Sequence, residues 1–474
     1  EDLRPKLREA LEAGISDGSL ERAVLGLKVV RPAWLPKEGP RNADVPPERW
    51  GLTLEQWAAC VAAGALACEA AGHGTQEPTA KTHLPHNMDR ILELCVKPWT
   101  AGTGSSMALL LNRKEPLKPE LMISYSWQAS AAEIMTTVLS KAVASWTFET
   151  RVWCRAFSVY HANDAAAPDL DAFRRAAASM PSLGALVLRT SGAPPWSRLW
   201  CIYEFMEIDQ ADLQVTPVFS AAYGMEVYAK DRDRRSASSA ASDIDAALAE
   251  CAVEAEARAL RERLAGRVSQ EQLNQQLRDF WCSAHEQAAE SVQDLSKELR
   301  DIRKRRGGLA ALERIARETV AQAGLFVGLQ CLYKLCSAPG DGAYAEHTVF
   351  PVARSVARAL AADSGFIASA VPGVAKDSAT ARLEAAGQED AEGDAALREC
   401  LRDLDSVPVA RRLLQVIGIP GIAASGGCAD SAGEQAQARA EVEIEESPVR
   451  LQLNKRPSAA ASKNSAKSAT GSLP

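Results

Sequence analysis

The chain has 474 residues, of which 47% are apolar and 24% are charged, a composition typical of globular proteins and long enough for several domains. Lys and Arg total 54 against 61 Asp and Glu, a net charge of −7 that argues against nucleic-acid binding, which needs a basic surface. No stretch is long and apolar enough to predict a membrane span. The first residue is Glu1 rather than Met, which predicts a fragment or a processed product.

Residues 1–115 are predicted to form a helical N-terminal flank. Residues 1–30 carry apolar side chains at helical spacing. Further along, Thr53 is a predicted N-cap, and Gln56 stands three residues later as its capping-box partner. The helix that follows is expected to extend to about Ala71.

The second half of this flank predicts one more helix and holds two weak ligand motifs. The helix lies near residues 89–96 and is expected to stop before Pro98. The Gly/Ser/Thr segment 99–106 lacks the Lys of a P-loop and is interpreted as a turn. His83 and His86 are three residues apart, but no further ligand is evident, so no metal site is predicted.

The eleven cysteines are scattered along the chain and odd in number. They include no CxxC pair and no array with zinc-type spacing. Several, such as Cys331 and Cys336, lie within apolar helical stretches. The cysteines are therefore expected to be buried free thiols in a reducing compartment, which favours a cytoplasmic protein.

Short uncharged strands alternate with helices between residues 116 and 228. The predicted strands are residues 121–126, 152–160, 183–188 and 213–219. The predicted helices are residues 131–145, 169–180 and 197–211, the last with Ser197 as its N-cap. This alternation predicts an α/β domain with a parallel sheet covered on both faces, whose ligands would bind beyond the carboxyl ends of the strands.

The remainder of the chain is predicted to be mainly helical. Residues 229–308 carry dense mixed charge, which indicates long helices with either a solvated face or a partner-binding surface. Residues 309–421 contain apolar helical segments that could stack in a solenoid-like manner, although no regular period is found. Residues 422–474 are predicted to be disordered, apart from a short strand at 440–444.

Tryptophan is distributed unevenly along the chain. All ten Trp residues lie between Trp34 and Trp281. This pattern predicts an aromatic-anchored α/β module before residue 281 and a Trp-free region for contacts after it. The sequence leaves open whether residues 309–421 form a separate domain or pack on the sheet.

Two segments carry a resemblance to a known family. Residues 122–127 read Met-Ile-Ser-Tyr-Ser-Trp, and residues 196–205 read Trp-Ser-Arg-Leu-Trp-Cys-Ile-Tyr-Glu-Phe. Together they resemble the first strand and the Ser-x-x-Trp-Cys-x-x-Glu helix of Toll/interleukin-1 receptor (TIR) domains. The chain is most similar to the TIR-like family of single-celled algae, over roughly residues 50–265. Further segments resemble the second strand, the strand before the Trp-Cys helix and the fifth strand, at 152–160, 186–188 and 215–219.

The resemblance implies a flavodoxin-like parallel sheet, and the chain also departs from the family pattern. Arg155 stands where the family usually carries Asp, and Tyr160 and His161 stand where it usually carries Asn-Gln. If those polar residues bind a ligand in the family, the departures imply that this chain has lost the activity.

Enzymatic TIR domains cleave the nicotinamide–ribose bond of NAD, and the resemblance implies Glu204 as the catalytic residue. Nicotinamide leaves as a neutral molecule, so the chemistry needs a single carboxylate that stabilises the oxocarbenium-like ribose. NAD would then be a substrate, and no cofactor is expected. The implied nucleotide-binding residues are Ser124, Tyr125, Ser126 and Trp127, together with Trp200.

The residues themselves also allow a simpler interpretation. Helical spacing directs Leu199, Ile202 and Met206 toward the sheet and places Glu204 on a neighbouring stripe. Such a Glu is usually a solvated residue on the outer face of its helix, and Trp127 and Trp200 would then be packing anchors.

The sequence therefore predicts, first, a cytoplasmic signalling or scaffolding protein. Its TIR-like domain would self-associate or bind other TIR-like domains, while the C-terminal helices bind a further protein partner. The alternative is an NAD-cleaving hydrolase that uses Glu204. Neither nucleic acid nor a membrane is expected as a partner.

Overall fold

A computed structural model describes ten parts of the chain: residues 31–70, 86–161, 170–180, 183–192, 194–224, 226, 244–285, 318–336, 345–370 and 378–402. Its strands are β1 (Leu52–Thr53), β2 (Leu121–Ser124), β3 (Arg151–Trp153), β4 (Ala185–Arg189) and β5 (Val215–Phe219). Its first eight helices are α1 (Leu54–Ala70), α2 (Met88–Ile91), α3 (Lys97–Thr100), α4 (Met107–Leu111), α5 (Ala131–Ser145), α6 (Arg155–Ser158), α7 (Leu170–Ala178) and α8 (Leu199–Gln210). The later helices are α9 (Glu254–Ala265), α10 (270–285), α11 (Val320–Cys336), α12 (Phe350–Ala370), α13 (Ser378–Ala386) and α14 (Ala391–Arg402).

The five strands form one sheet in the order β1-β3-β2-β4-β5. β1 pairs antiparallel with β3, and every other neighbouring pair is parallel. Counted along the chain, the four parallel strands are arranged 2-1-3-4, which is consistent with a flavodoxin-like α/β fold. The predicted α/β class with a mostly parallel sheet is therefore confirmed.

The sheet is covered by helices on both faces, as the uncharged strands predict. Successive side chains of a strand point to opposite faces, so Leu121 and Ile123 enter one core and Met122 enters the other. The first core is closed by α1, α5 and α11, and the second by α7, α8, α9 and α10. The site described below lies at the carboxyl end of β2, the strand between these two cores.

Helix α11, the first described helix of residues 309–421, packs into the first core, in contact with α1 and α5. Two glycines let it approach closely: a Cβ on Gly324 would lie 2.7 Å from Thr136 Oγ1, and one on Gly328 would lie 2.7 Å from Met135 Sδ. α12 and α14 in turn contact α11. The described helices of 309–421 thus pack on the sheet and share its core, rather than forming a separate domain.

Several local predictions are confirmed. Thr53 and Gln56 form the capping box before α1, with Thr53 N donating to Gln56 Oε1 at 2.9 Å and Gln56 N donating to Thr53 Oγ1 at 3.1 Å. The helix predicted at 131–145 is α5. The segment 99–106 contains a turn after α3, in which Gly102 and Gly104 adopt positive φ angles.

The strand predicted at 152–160 is wrong over most of its length. Extended pairing ends at Trp153, and α6 begins at Arg155. Cys154 N donates to Ser158 Oγ at 3.1 Å, and Ser158 N donates to Cys154 O at 2.8 Å, so the backbone closes into a helical turn. The aromatic and β-branched composition indicated a strand, but this local pairing determines the conformation.

Two predicted helix ends are also wrong. The second helix of the flank does not stop before Pro98 but continues through a π-helical turn, Leu92–Val96, into α3. Pro98 lies in the first turn of α3, where the missing N–H is tolerated. Ser197 is not the N-cap of α8: Arg198 precedes the helix, and Ser197 Oγ donates to Pro194 O at 2.7 Å.

Some predictions fall outside the described residues. These are the helix at 1–30, the disorder at 422–474 and its short strand at 440–444. Among the helices that the structure describes, none is long and apolar enough to cross a bilayer.

Candidate functional site

Glu204 lies in the middle of α8 and reaches the carboxyl end of β2. Its Oε2 accepts a hydrogen bond of 2.5 Å from Ser124 Oγ, and Ser124 is the last residue of β2. Only 5% of the Glu204 surface is exposed. The interpretation of Glu204 as a solvated residue is therefore wrong.

The burial of Glu204 follows from how α8 is packed. One side of the helix enters the core beside the sheet, and the other is covered by α9 and α10. Phe205 contacts Phe280 with ring centroids 5.0 Å apart, and the buried Glu207 pairs with Arg267 at 2.8 Å. The later helices therefore bury the side of α8 that carries Phe205 and Glu207, whereas Glu204 is buried against the end of β2 and Arg155.

Next to Glu204, a buried guanidinium lies between two indole rings. The Cζ atom of Arg155 is 3.4 Å from the ring centroid of Trp200 and 4.6 Å from that of Trp127. Its Nη2 is 3.5 Å from Glu256 Oε2, which also accepts a hydrogen bond of 2.5 Å from Trp200 Nε1. We call Trp127, Arg155, Trp200 and Glu256 the Arg155 stack.

Electrostatics couple Glu204 to the Arg155 stack. Burial raises the pKa of Glu204 to about 7, against the opposing effects of the Ser124 hydrogen bond and the positive charge of Arg155. Burial lowers the pKa of Arg155, while Glu256 and Glu204 raise it. The Arg155 guanidinium remains protonated at neutral pH, since free arginine titrates far above that range.

The structure brings only some of the predicted nucleotide-binding residues together. Ser124, Trp127 and Trp200 lie around Glu204 and Arg155, as described above. Tyr125 packs in the first core, where its Oη lies 3.0 Å from Cys154 Sγ, and it also interacts electrostatically with Glu204. Ser126 is buried, and its hydroxyl has no hydrogen-bond partner among the described residues.

Two residues of the site are not among the predicted site residues. Glu256 belongs to a charge-rich helix, where a solvated face is the expected role, yet it binds both Arg155 and Trp200. His161 packs edge-on against Trp127 at 5.7 Å, and its Nε2 lies 2.9 Å from Arg155 O. A salt bridge between residues so distant in sequence could not be found from either segment alone.

The described residues contain no cluster of three or more His, Cys, Asp or Glu that could hold a metal ion. His83 of the candidate pair lies outside the described residues, and His86 is buried.

The raised pKa of Glu204 predicts a specific pH dependence of stability. The folded chain binds this proton more tightly than the unfolded chain, whose carboxyl titrates near 4.5. Stability is therefore expected to fall as the pH rises from 4.5 to 7, by about 3 kcal/mol from this group alone. Glu204→Gln removes the titration and should flatten the profile in that window. Urea unfolding at pH 4.5, 6 and 8 measures the difference, and parallel profiles for the two proteins would contradict the expectation.

Comparisons of the chain with protein-family models, with curated proteins and with solved structures find no match.

Proposed function

We propose that this chain is an intracellular signalling or scaffolding protein whose TIR-like α/β domain acts by binding rather than by catalysis. Its partner would be a second copy of the domain or another TIR-like domain. The observation that carries the proposal is that the chain's own Arg155 guanidinium stacks against both Trp127 and Trp200, next to Glu204.

Access to Glu204 is the first argument. A carboxylate stabilises a developing positive charge on a sugar only if the sugar reaches it. Glu204 and Ser124 are 5% and 2% exposed. A cavity of about 290 Å³ beside α8 is lined by Arg198, Glu250 and Cys251 but not by Glu204 or Ser124. The geometry thus supports a structural rather than a catalytic role for the Glu204 carboxyl group.

Charge is the second argument. The Arg155 guanidinium interacts with Glu204 and forms an ion pair with Glu256. That guanidinium also occupies one face of the Trp200 ring. These contacts join the end of β2, α6, α8 and α9, which favours a rigid module with a preformed surface.

NAD cleavage by Glu204 is the second candidate function, and two observations favour it. The Glu204–Ser124 pair lies at the carboxyl end of a central parallel strand, where α/β sheets commonly bind ligands. A buried carboxyl group with a raised pKa also occurs often at catalytic sites. This function would require Arg155 to leave the space between the two tryptophans.

Two measurements on the purified full-length chain test the proposals. At high protein concentration with NAD, we expect no release of nicotinamide, while light scattering after gel filtration should show a mass that increases with protein concentration. Nicotinamide release that Glu204→Gln abolishes, and that the exposed control Glu254→Gln retains, would establish the hydrolase instead. A chain that stays monomeric at all concentrations and captures no TIR-like domain would contradict the binding proposal.

A further inference from the structure

Helices α1 and α2 pass so closely that only glycine fits at their crossing point. A Cβ on Gly64 would lie 2.5 Å from Ile91 Cγ2. Four residues further along each segment, which is about one helical turn, stand Cys68 and Cys95. Their Sγ atoms are 3.6 Å apart, and Cys95 Sγ is also 3.5 Å from Gly64 O, so its one proton can be directed to either acceptor.

The two thiols differ in their ionisation. The hydrogen bond between them favours the thiolate of Cys68 and the protonated form of Cys95, so the pKa of Cys68 is lowered and that of Cys95 is raised. The positive charge of Arg90 further lowers the pKa of Cys68. By contrast, burial strongly raises the pKa of Cys60, which lies in the same helix. A stabilised thiolate beside a second thiol is the arrangement found in redox-sensitive cysteine pairs.

We propose that Cys68 and Cys95 are a modification site, at which a hydroperoxide converts the two thiols into a disulfide. The Cys68 thiolate attacks hydrogen peroxide, the O–O bond breaks, and Cys68 becomes a sulfenic acid while the departing hydroxide takes up a proton. Cys95 sulfur then attacks Cys68 sulfur, the S–O bond breaks, and the hydroxide leaves as water with the thiol proton. The two sulfurs together lose two electrons, which the peroxide gains.

The geometry requires only a small movement. A disulfide has sulfurs about 2.05 Å apart, so the present separation of 3.6 Å must shorten by about 1.6 Å. Cys68 lies in the last turn of α1, which ends at Ala70, and a helix terminus can shift or fray more easily than its middle. Both thiols are fully buried, which favours an oxidant as small as peroxide over a bulky disulfide.

Mass spectrometry of the full-length chain tests the proposal. The reduced protein is treated with hydrogen peroxide at a small molar excess, alkylated and digested with trypsin without reduction. Cys60 and Cys68 share the tryptic peptide 50–81, whereas Cys95 lies in peptide 91–113. We expect these peptides to be joined, with the mass of two hydrogens lost and the link reversed by dithiothreitol. The control Cys60→Ser should still form the link, and Cys68→Ser should not.

A second variant separates the two steps of the reaction. In Cys95→Ser the hydroxyl can still donate to Cys68 but cannot displace the sulfenic acid, so dimedone should label Cys68, whereas in Cys68→Ser it should leave Cys95 unlabelled. Circular dichroism establishes that both variants are folded. The proposal is overturned if the half-buried Cys251 and Cys282 oxidise while peptides 50–81 and 91–113 remain unlinked, or if the link involves Cys60.

Discussion

A chain shortened to residues 1–317, which lacks α11 and every later helix, is expected to lose cooperative folding and to aggregate. α11 contributes Leu325, Phe326, Leu329 and Leu332 to the core that it shares with α1 and α5, and each of the four is essentially inaccessible. Burying such a side chain stabilises a fold by about 1.5–3 kcal/mol, so these four alone contribute roughly 6–12 kcal/mol. This is comparable with the whole stability of a typical protein, about 5–15 kcal/mol.

Soluble yield, gel filtration and thermal melting by circular dichroism measure this effect. A matched chain that ends at residue 421 keeps every described helix and should melt as the full chain does, which also tests the disorder predicted for 422–474.

A single substitution, Gly328→Leu, should disrupt the contact between α11 and α5, because the new side chain would collide with Met135. Lys334→Ala, at an exposed ion pair with Glu55, should cost less than about 1 kcal/mol. A cooperative, monomeric 1–317 chain would show that the α/β module folds without α11.

Arg155→Ala is expected to lower the free energy of unfolding by about 3–5 kcal/mol at pH 8. The substitution removes the cation from a buried ion pair and two cation–π contacts, and it leaves Glu204 and Glu256 without a compensating charge. The effect should be smaller at pH 5, because Glu204, with its pKa of about 7, is then protonated and needs no cation.

Urea unfolding of three variants at both pH values measures the contribution of the Arg155 stack. Arg155→Lys keeps the charge but lacks a planar group between the two indoles, so its stability should be intermediate. Arg258→Ala, at an exposed arginine of α9 with no ion pair among the described residues, serves as the control and should change stability by less than about 1 kcal/mol. If Arg155→Ala is as stable as the wild type at pH 8, the stack does not hold this end of the sheet together.

The sheet was predicted well because each of its main strands is indicated by its own short run of uncharged, mainly apolar residues. The uncharged runs before Ser124, Arg189 and Phe219 are strands β2, β4 and β5, and their alternation with helices indicated parallel pairing. The pattern was misleading at 152–160, where a helix begins at Arg155 and the Ser158 hydroxyl accepts a hydrogen bond from Cys154 N.

Two residues of the candidate site, Glu204 and Ser124, were predictable from the sequence. The ion pair next to Glu204 was not. The Trp-Cys-x-x-Glu pattern drew attention to Glu204, and Ser124 was named as a residue of the same pocket. The ion pair of Arg155 with Glu256 depends on how α9 folds back over α8, and no periodicity in either segment carries that information. The absence of Trp after residue 281 suggested a region apart from the core, but α11 fills the core with Leu, Phe and Gly instead.

The position of α11 also sets the order of events during synthesis. α1 and α5 emerge from the ribosome long before the helix that covers them, and elongation proceeds at about 5–20 residues per second. Synthesis of the residues between Ser145 and Val320 takes roughly ten seconds or more. During that time the apolar surfaces of α1 and α5 are not covered by α11. Contacts between such distant segments also slow folding. The nascent chain is thus expected to depend on chaperones until α11 has been made.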